Sequence, residues 1–356
     1  MKTVPIFAGI LVILVVSGAS ARTWHVLPDS LGDAPTIQAA LDSSSAGDTV
    51  LVACGTYYES GIWMESGVVL CSETGLADCV TIDAQGIAMV IECVNCIEPT
   101  EIVGFTLKNG WVPWGEYGGG MFCIGCTDLA VSDCTFLNNH ADFGGGLSCD
   151  YTALEVVDCV FAQNSAVSLG GGLYCMNNAS VHLTGCVFDS NLAGLGGGIM
   201  CGTATLSAHS CTIFANQAYA SEGYGELGGG GMYVDGQSAV TLENTIIASS
   251  TDGGGIWCHG GTVPEVRCCD IWGNADGDWV GCIADEYGMD GNFSADPRFC
   301  DTPTGNFGVE TCSPCLPGNH PDGYACGAPV GAYPSGCECG ATTEPTTWGT
   351  IKAMYR

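Results

Sequence analysis

The chain has 356 residues and a formal net charge of −31, because 38 Asp and Glu stand against only seven Lys and Arg. This charge excludes nucleic acid and an anionic membrane surface as expected partners, since it repels both. The 54 glycines also argue against a mainly helical protein, because glycine weakens helices.

The N-terminus has the pattern of a secretory signal peptide over residues 1–21. Lys2 precedes an uncharged apolar run over residues 4–16, and small residues follow up to Ala21. The run is shorter than the ~20 residues of a spanning helix, so we expect no transmembrane span in the mature chain. We therefore expect bacterial-type export, with the protein secreted or held at the cell surface. All 24 cysteines follow this segment, and exported proteins meet a compartment where disulfides persist.

A repeat dominates the rest of the chain. The triplet Gly-Gly-Gly recurs at intervals of 26, 26, 26, 33 and 24 residues, at 118–120, 144–146, 170–172, 196–198, 229–231 and 253–255. Each triplet is followed by an apolar residue, a variable residue and usually a cysteine. Self-similarity at such a period is typical of repeat architectures.

Each repeat contains two further elements of alternating polarity. One is an apolar pair such as Leu129 and Val131, and the other is a Cys-x-apolar-x-x-Asn element such as Cys134, Phe136 and Asn139. Period-two alternation is the signature of a strand, so a coil holds three short strands with turns between them. Such a coil cannot bury a core alone, but stacked coils can. The sequence therefore predicts an all-β parallel β-helix.

One asparagine per coil is expected to join a hydrogen-bonded ladder along the solenoid. The predicted members are Asn109, Asn139, Asn164, Asn191, Asn216 and Asn274. One coil departs from the element, with Asn244, Ile246 and Ser249 at the Cys, apolar and Asn positions. We expect the ladder to be interrupted there, at Ser249.

Several segments resemble bacterial right-handed parallel β-helix proteins. The Gly-Gly-apolar and Phe-x-x-Asn elements are similar to the repeats of chlamydial polymorphic outer-membrane proteins. Residues 35–42, 46–50 and 55–59 resemble the entry segment of pectin-lyase-like β-helices, and residues 296–299, 313–315 and 330–333 resemble their last coils. The resemblance implies a right-handed single-stranded parallel β-helix over residues 22–338, with an N-terminal capping helix. It implies no single function, because this fold carries many activities.

Residues 339–356 differ from the repeats and contain two of the seven basic residues, Lys352 and Arg356. They resemble a short terminal module that follows β-helices in some environmental bacteria. Two interpretations stay open for this tail: a sorting or attachment segment, and a frayed terminus.

The cysteines of the repeats are predicted to stack in two rows. The rows are Cys123, Cys149, Cys175 and Cys201, and Cys134, Cys159, Cys186 and Cys211. Parallel Cβ vectors ~4.8 Å apart are wider than disulfides prefer, so apolar packing of thiols and several disulfides both stay open. We expect bridges in the loop-rich C-terminal cluster of Cys312, Cys315, Cys326, Cys337 and Cys339.

No metal, cofactor or catalytic residue is assigned. Cys93, Cys96, Cys123 and Cys126 have zinc-site spacing, but exported proteins usually oxidise such pairs. The acidic surface could attract Ca²⁺, although no motif supports a site.

The sequence shows no group of residues that would support catalysis. A lyase of acidic sugars needs a cationic base and a charge that neutralises the uronate, yet Lys108 and Arg267 lie six coils apart by the repeat. A hydrolase needs clustered aspartates, and the chain contains no Asp-Asp pair; His259, in a glycine-rich turn, lacks such partners.

Aromatic side chains carry the binding hypothesis. The outward residues after the triplets are Phe122, Ser148, Tyr174, Met200, Tyr233 and Trp257. Four of these residues are aromatic, and we expect the four to form one exposed face. Two long turns beside them contain Trp111 and Trp114, and Tyr219 and Tyr224. Aromatic faces stack on sugars and anchor protein contacts, although aromatics also favour strands on any face.

These patterns favour a secreted or surface-associated protein without catalytic activity. It would bind a polysaccharide or a cell-surface partner, or serve a structural or adhesive role. The alternative is a carbohydrate-active enzyme, either a polysaccharide lyase or a glycoside hydrolase of the pectin-lyase-like fold.

Overall fold

The computed structural model describes residues 20–219 and 228–340 and shows a right-handed parallel β-solenoid, as predicted. Three parallel sheets run along it. Sheet 1 contains Thr23–Val26, Thr49–Val52, Val69–Ser72, Thr100–Val103, Leu129–Ser132, Ala153–Val157, Ser180–Thr184, Thr205–His209, Ala239–Glu243 and Glu265–Arg267. Sheet 2 contains Gly55–Tyr57, Val80–Asp83, Phe105–Lys108, Thr135–Leu137, Val160–Ala162, Val187–Asp189, Thr212–Phe214, Ile246–Ala248 and Asp270–Trp272. Sheet 3 contains Ile62–Trp63, Ile91–Val94, Met121–Ile124, Leu147–Asp150, Leu173–Met176, Ile199–Gly202, Met232–Val234 and Ile256–Cys258.

Side-chain alternation builds the core inside the solenoid. Every second residue of a strand points inward, where it stacks on its equivalent in the next coil. Phe136 pairs in register with Phe161, and their ring centroids lie 4.6 Å apart with an interplanar angle of 4°. The ring of Phe188 continues this stack at the same spacing of 4.6 Å. The period-two segments of the sequence are therefore the walls of one continuous core.

The glycine triplets stand where the chain enters sheet 3. Gly144 has a φ of 68°, in the left-handed region that favours glycine. A Cβ on Gly145 or Gly146 would collide with carbonyl oxygens of the next coil. The repeat thus keeps glycine for one turn conformation and two close backbone approaches.

The asparagine ladder contains Asn139, Asn164, Asn191 and Asn216 as an unbroken row. In each pair, the Oδ1 of one asparagine accepts hydrogen bonds from the backbone N–H and the side-chain Nδ2–H of its equivalent one coil earlier, at 2.9–3.1 Å. Asn274 also lies at the ladder position, where its Nδ2 donates to the carbonyl of Ile247.

The ladder prediction is wrong by one residue at its start. Asn109 lies just before the ladder position, and its Nδ2 donates to Asp83. Gly110 occupies the position instead, and its N–H donates to the Oδ1 of Asn139 at 2.8 Å.

The predicted position of the ladder's interruption is also wrong by one residue. Ile247, not Ile246, pairs with Ile213, so the ladder position of that coil is Ser250 rather than Ser249. The backbone N–H of Ser250 donates to the Oδ1 of Asn274. The register is easily misread here because Thr245 replaces the cysteine that marks this corner in the coils on either side, Cys211 and Cys269.

A short α-helix, Ile37–Ser43, packs against Thr23–Val26 and Thr49–Val52. The Thr36 hydroxyl accepts from the N–H of Ala39, and the Glu59 carboxylate accepts from the first helical N–H groups. The helix lies where the resemblance implied a capping helix. Two 3₁₀ helices, Gly281–Glu286 and Thr302–Thr304, lie in the C-terminal region.

A fourth sheet, which the sequence patterns do not predict, lies between sheets 2 and 3. Sheet 4 contains His140–Phe143, Ser165–Leu169, Leu192–Ala193 and Gln217–Ala218. Its strands follow the ladder asparagines directly, and the triplets follow the strands. Their length of two to five residues leaves too little alternation to recognise.

The C-terminal region folds back along the outer face of sheet 2. Its own sheet 5 contains Phe299–Asp301, Asn306–Glu310 and Ser335–Cys337. Val330 packs with Ile246, the N–H of Ala332 donates to the Thr212 hydroxyl, and Tyr333 packs with Val187. This part of sheet 2 is thereby covered from outside.

Disulfides lie outside the stacked rows. The bridges are Cys54–Cys79, Cys258–Cys282, Cys268–Cys326, Cys300–Cys337 and Cys312–Cys339. Four of the five cysteines of the predicted C-terminal cluster are bridged, but Cys315 is a buried thiol. The two predicted rows are buried thiols that pack in the core, so apolar packing, and not bridging, describes them.

Residues 1–19, 220–227 and 341–356 lie outside the described part of the chain, and with them most of the predicted signal peptide, Tyr224 and most of the tail. Among the described residues, no helix has the length and apolar character needed to cross a bilayer.

Candidate ligand-binding surface

The predicted aromatic row lies on the outer face of sheet 3. The register places in one row Trp63, Glu92, Phe122, Ser148, Tyr174, Met200, Tyr233 and Trp257. The outward orientation inferred from strand parity is therefore what the structure shows.

The expected exposure of this row is wrong for its central members. Tyr174 and Tyr233 are only 3% and 8% exposed. They pack with Met200 against Leu169 and Leu195, which come from the neighbouring turns and sheet 4. These tyrosines belong to a second apolar cluster outside the solenoid core, and the half-buried Trp257 packs against it. Phe122, two coils before Tyr174 in the row, is also half-buried.

An exposed aromatic surface remains beside the N-terminal end of this row. Its members are Trp111, Trp114, Tyr117 and Phe122, and we refer to them as the aromatic surface. Trp114 is 80% exposed and Trp111 is 46% exposed. Tyr117 stacks on Phe122 with ring centroids 5.8 Å apart, so the loop lies against sheet 3. Such exposure of large rings in one place is a mark of recognition surfaces.

The loop over residues 111–117 is anchored as the first rung of sheet 4. Trp111 and Tyr117 form parallel bridges with His140 and Phe143, and the ring of Trp111 stacks on that of His140 at 6.3 Å. The buried carboxylate of Asp142 accepts from the N–H of Gly115 at 2.8 Å. These contacts hold the exposed indoles on a fixed backbone.

Two carboxylates border the aromatic surface. Glu92 is half-buried and lies in the outward row between Trp63 and Phe122. Burial raises the pKa of Glu92, and the negative charge of Glu116 raises that pKa further. Glu92 can therefore donate a hydrogen bond over a wider pH range than an ordinary glutamate.

The other predicted loop residue lies elsewhere. Tyr219 is half-buried at the far end of sheet 4, and its hydroxyl donates to the carbonyl of Val167 at 2.7 Å. The structure therefore does not bring Tyr219 together with Trp111 and Trp114.

The described cations do not gather into one site. Arg22 pairs with Asp33 at 3.4 Å and Lys108 with Asp83 at 3.4 Å, and Arg298 pairs with Glu310.

Arg267 is the one Lys or Arg of residues 20–219 and 228–340 that has no ion pair. It lines a cavity of about 410 Å³ together with Glu243, Glu265, Glu286 and Asp290. Lys108 and Arg267 lie on different sheets, and six coils separate them.

Potential metal ligands come close together in two places within the described chain. These are Cys54, Glu73 and Cys79, and Glu310, Cys312 and Cys339. Each group contains a disulfide, whose sulfurs are not available as thiolates. The exposed His259 contacts Asp235 at 2.9 Å, which gives this histidine a structural partner.

Comparison with known proteins identifies the fold. Residues 62–213 match the family model of the right-handed β-helix region. The crystal structure of pectate lyase Pel9A is similar with a TM-score of 0.61 and 12% identity, over 90% of this chain and 98% of that one. The pectin methylesterase from Aspergillus niger, in deglycosylated form, gives a TM-score of 0.42 and 15% identity, over 73% of this chain and 88% of that one. No curated protein matches the sequence.

Proposed function

Starting from a right-handed β-helix with an anchored aromatic surface, we propose that this protein is an exported carbohydrate-binding protein. It binds an extended neutral polysaccharide and catalyses no reaction. The observation that carries the proposal is the exposure of Trp111 and Trp114 on a loop whose backbone is tied to sheet 4.

The chemistry of the surface favours sugars. Indole and phenol rings stack on the apolar faces of sugar rings, and the neighbouring carboxylates of Glu92 and Glu116 can accept or donate hydrogen bonds to hydroxyl groups. A preformed surface also costs little ordering entropy on binding. The net charge of −31 favours a neutral polymer over a polyanion.

The signal-peptide pattern of residues 1–21 supports a location outside the cytoplasm, where such polymers are found. The fold is also compatible with the proposal, since a pectate lyase shares it. That likeness concerns the fold and assigns no activity to this chain.

The direct test uses the native chain and a panel of neutral and uronate polysaccharides. Affinity gels or calorimetry should show binding to at least one neutral polymer and weak or no binding to polyuronates. The bound polymer should keep its length, with no new reducing ends and no unsaturated products. A chain that binds no neutral polymer would contradict the proposal.

A second function, glycoside hydrolysis, is favoured by one specific observation. Glu92, whose pKa is raised, lies close enough to Glu116 to feel its charge, beside an aromatic surface. Hydrolases use a protonated and an ionised carboxyl group in this way. New reducing ends that disappear in Glu92→Gln would establish it; their absence from the native chain excludes it.

A further inference from the structure

A groove on the outer face of sheet 2 lies next to the folded-back C-terminal region. The outward row of this sheet contains Thr81, Thr106, Thr135, Val160, Val187, Thr212, Ile246 and Asp270. The C-terminal region covers the row from Asp270 to Val187, and Phe307 reaches Val160. Beyond Phe307 the row forms the floor of a groove of about 300 Å³ that residues 20–219 and 228–340 leave uncovered.

The groove has a mostly apolar lining and an acidic edge. Its walls include Leu137, Ala162 and Phe307, with the acidic residues Asp78 and Asp189 at its edge.

Asp189 adds an acidic group that has no basic neighbour in the described chain. Burial raises the pKa of its carboxyl group, and the Ser190 hydroxyl donates to it at 2.8 Å. No Lys or Arg of residues 20–219 and 228–340 forms an ion pair with it. A cation placed at this edge of the groove would be stabilised.

We propose that the chain's own C-terminal segment, residues 341–356, occupies this groove. The segment carries apolar side chains for the floor, Trp348, Ile351, Met354 and Tyr355, and two cations for the acidic edge, Lys352 and Arg356. Two of the chain's seven Lys and Arg thus lie in the segment that would meet Asp78 and Asp189.

The position and length of the segment fit this assignment. It follows Gly340, just after strand Ser335–Cys337, which pairs with the strand that contains Phe307. Sixteen residues can span about 50 Å when extended. The floor of the groove from Val160 to Thr106 spans two coil spacings, or about 10 Å. The segment would therefore continue an existing interface, in which Tyr333 and Phe307 already cover the same row.

The test uses a fluorescent peptide of residues 341–356 and two full-length chains. One is native, and in the other Trp348, Ile351 and Tyr355 are replaced by Ser so that the groove is open. Fluorescence anisotropy should show that the open-groove chain binds the peptide, while the native chain binds it about 10-fold or more weakly because its own segment competes.

Groove variants identify the binding site. Ala162→Arg in the open-groove chain should weaken peptide binding about 10-fold, whereas Ala153→Arg, on an exposed position of sheet 1, should not. Asp189→Asn should weaken binding, and this loss should disappear with a peptide whose Lys352 and Arg356 are Gln. If Ala162→Arg fails to fold, Asp189→Asn alone tests whether the peptide binds in the groove.

Several results would overturn the proposal. These are no binding by the open-groove chain, equal binding by the native and open-groove chains, and equal binding by the Ala162→Arg and Ala153→Arg variants. If the native chain forms a dimer and the peptide dissociates it, the groove binds the C-terminal segment of a second copy instead.

Discussion

The Oδ1 of Asn191 accepts two hydrogen bonds from Asn164, one from its backbone N–H and one from its Nδ2–H, each at 3.0 Å. The Nδ2 of Asn164 also donates to the carbonyl of Phe136, and the Oδ1 of Asn164 accepts from Asn139 in turn. One buried side chain therefore satisfies polar groups in neighbouring coils on both sides. This arrangement explains why an asparagine recurs once per coil at this corner of the solenoid.

Replacement of Asn164 by Ala should destabilise the solenoid by about 1–3 kcal/mol, because the backbone N–H of Asn139 loses its acceptor and the carbonyl of Phe136 loses a donor. Chemical denaturation measures the change. Asn178→Gly is the matched control, since Asn178 is exposed and has a φ of 62° that glycine tolerates. Equal stability of the Asn164→Ala and native chains would show that the ladder contributes nothing.

Asp270 gives the stability a defined pH dependence. Burial is the main cause that raises its pKa from 3.8 to about 8, while the Ala295 N–H and the Cys315 thiol donate to its oxygens. A raised acid pKa means that the folded state binds the proton more tightly. The contribution of the Asp270 carboxyl group to the free energy of unfolding is therefore fully present below about pH 4. It is lost as the pH rises to about 8, at up to about 1.4 kcal/mol per pH unit.

The measurement compares denaturation of the native chain and of Asp270→Asn between about pH 5 and about pH 9, a range that extends past the upper end of this titration. The difference in unfolding free energy between the two chains should change steadily with pH up to about pH 8 and then level off. A difference that does not depend on pH would mean that Asp270 is ionised in the folded chain.

The thiols of the two cysteine rows should not react with alkylating reagents in the folded protein. The chain contains 14 thiols, all of them buried except the half-buried Cys71. Burial raises the pKa of the Cys71 thiol, and it raises the pKa of Cys269 to about 12. A neutral maleimide should therefore modify Cys71 at most in the native state, and all 14 thiols after denaturation without a reductant. Mass spectrometry counts the adducts, and far fewer in the denatured chain would reveal disulfides within the rows.

The solenoid is predictable from the sequence because each coil repeats the same chemistry. Several positions of the coil have a characteristic residue type in the sequence: the glycine triplets, the stacked Phe136 and Phe161, and the ladder asparagines. The prediction fails where a marker changes identity, as at Thr245, because the cysteines are what set the register in the sequence.

The candidate surface is less predictable, for a different reason. Strand parity shows that Tyr174 points outward, but it does not show that Phe143 and Leu169 cover that face. Likewise, no local pattern indicates that Tyr333 packs on Val187, which is far away in the sequence. Packing of this kind depends on long-range folding rather than on the repeat.

The most direct test of the binding function replaces Trp111 and Trp114 together by Ala. Neither ring contributes to the solenoid core, so the chain should stay folded with an unchanged melting temperature. The control replaces Tyr58 and Tyr287, two exposed aromatic residues outside the aromatic surface, by Ala. With the neutral polysaccharide that the native chain binds most tightly, calorimetry should show a loss of affinity of about 10-fold or more for the tryptophan variant and none for the control. Full affinity in the tryptophan variant, or an equal loss in both variants, would contradict the account.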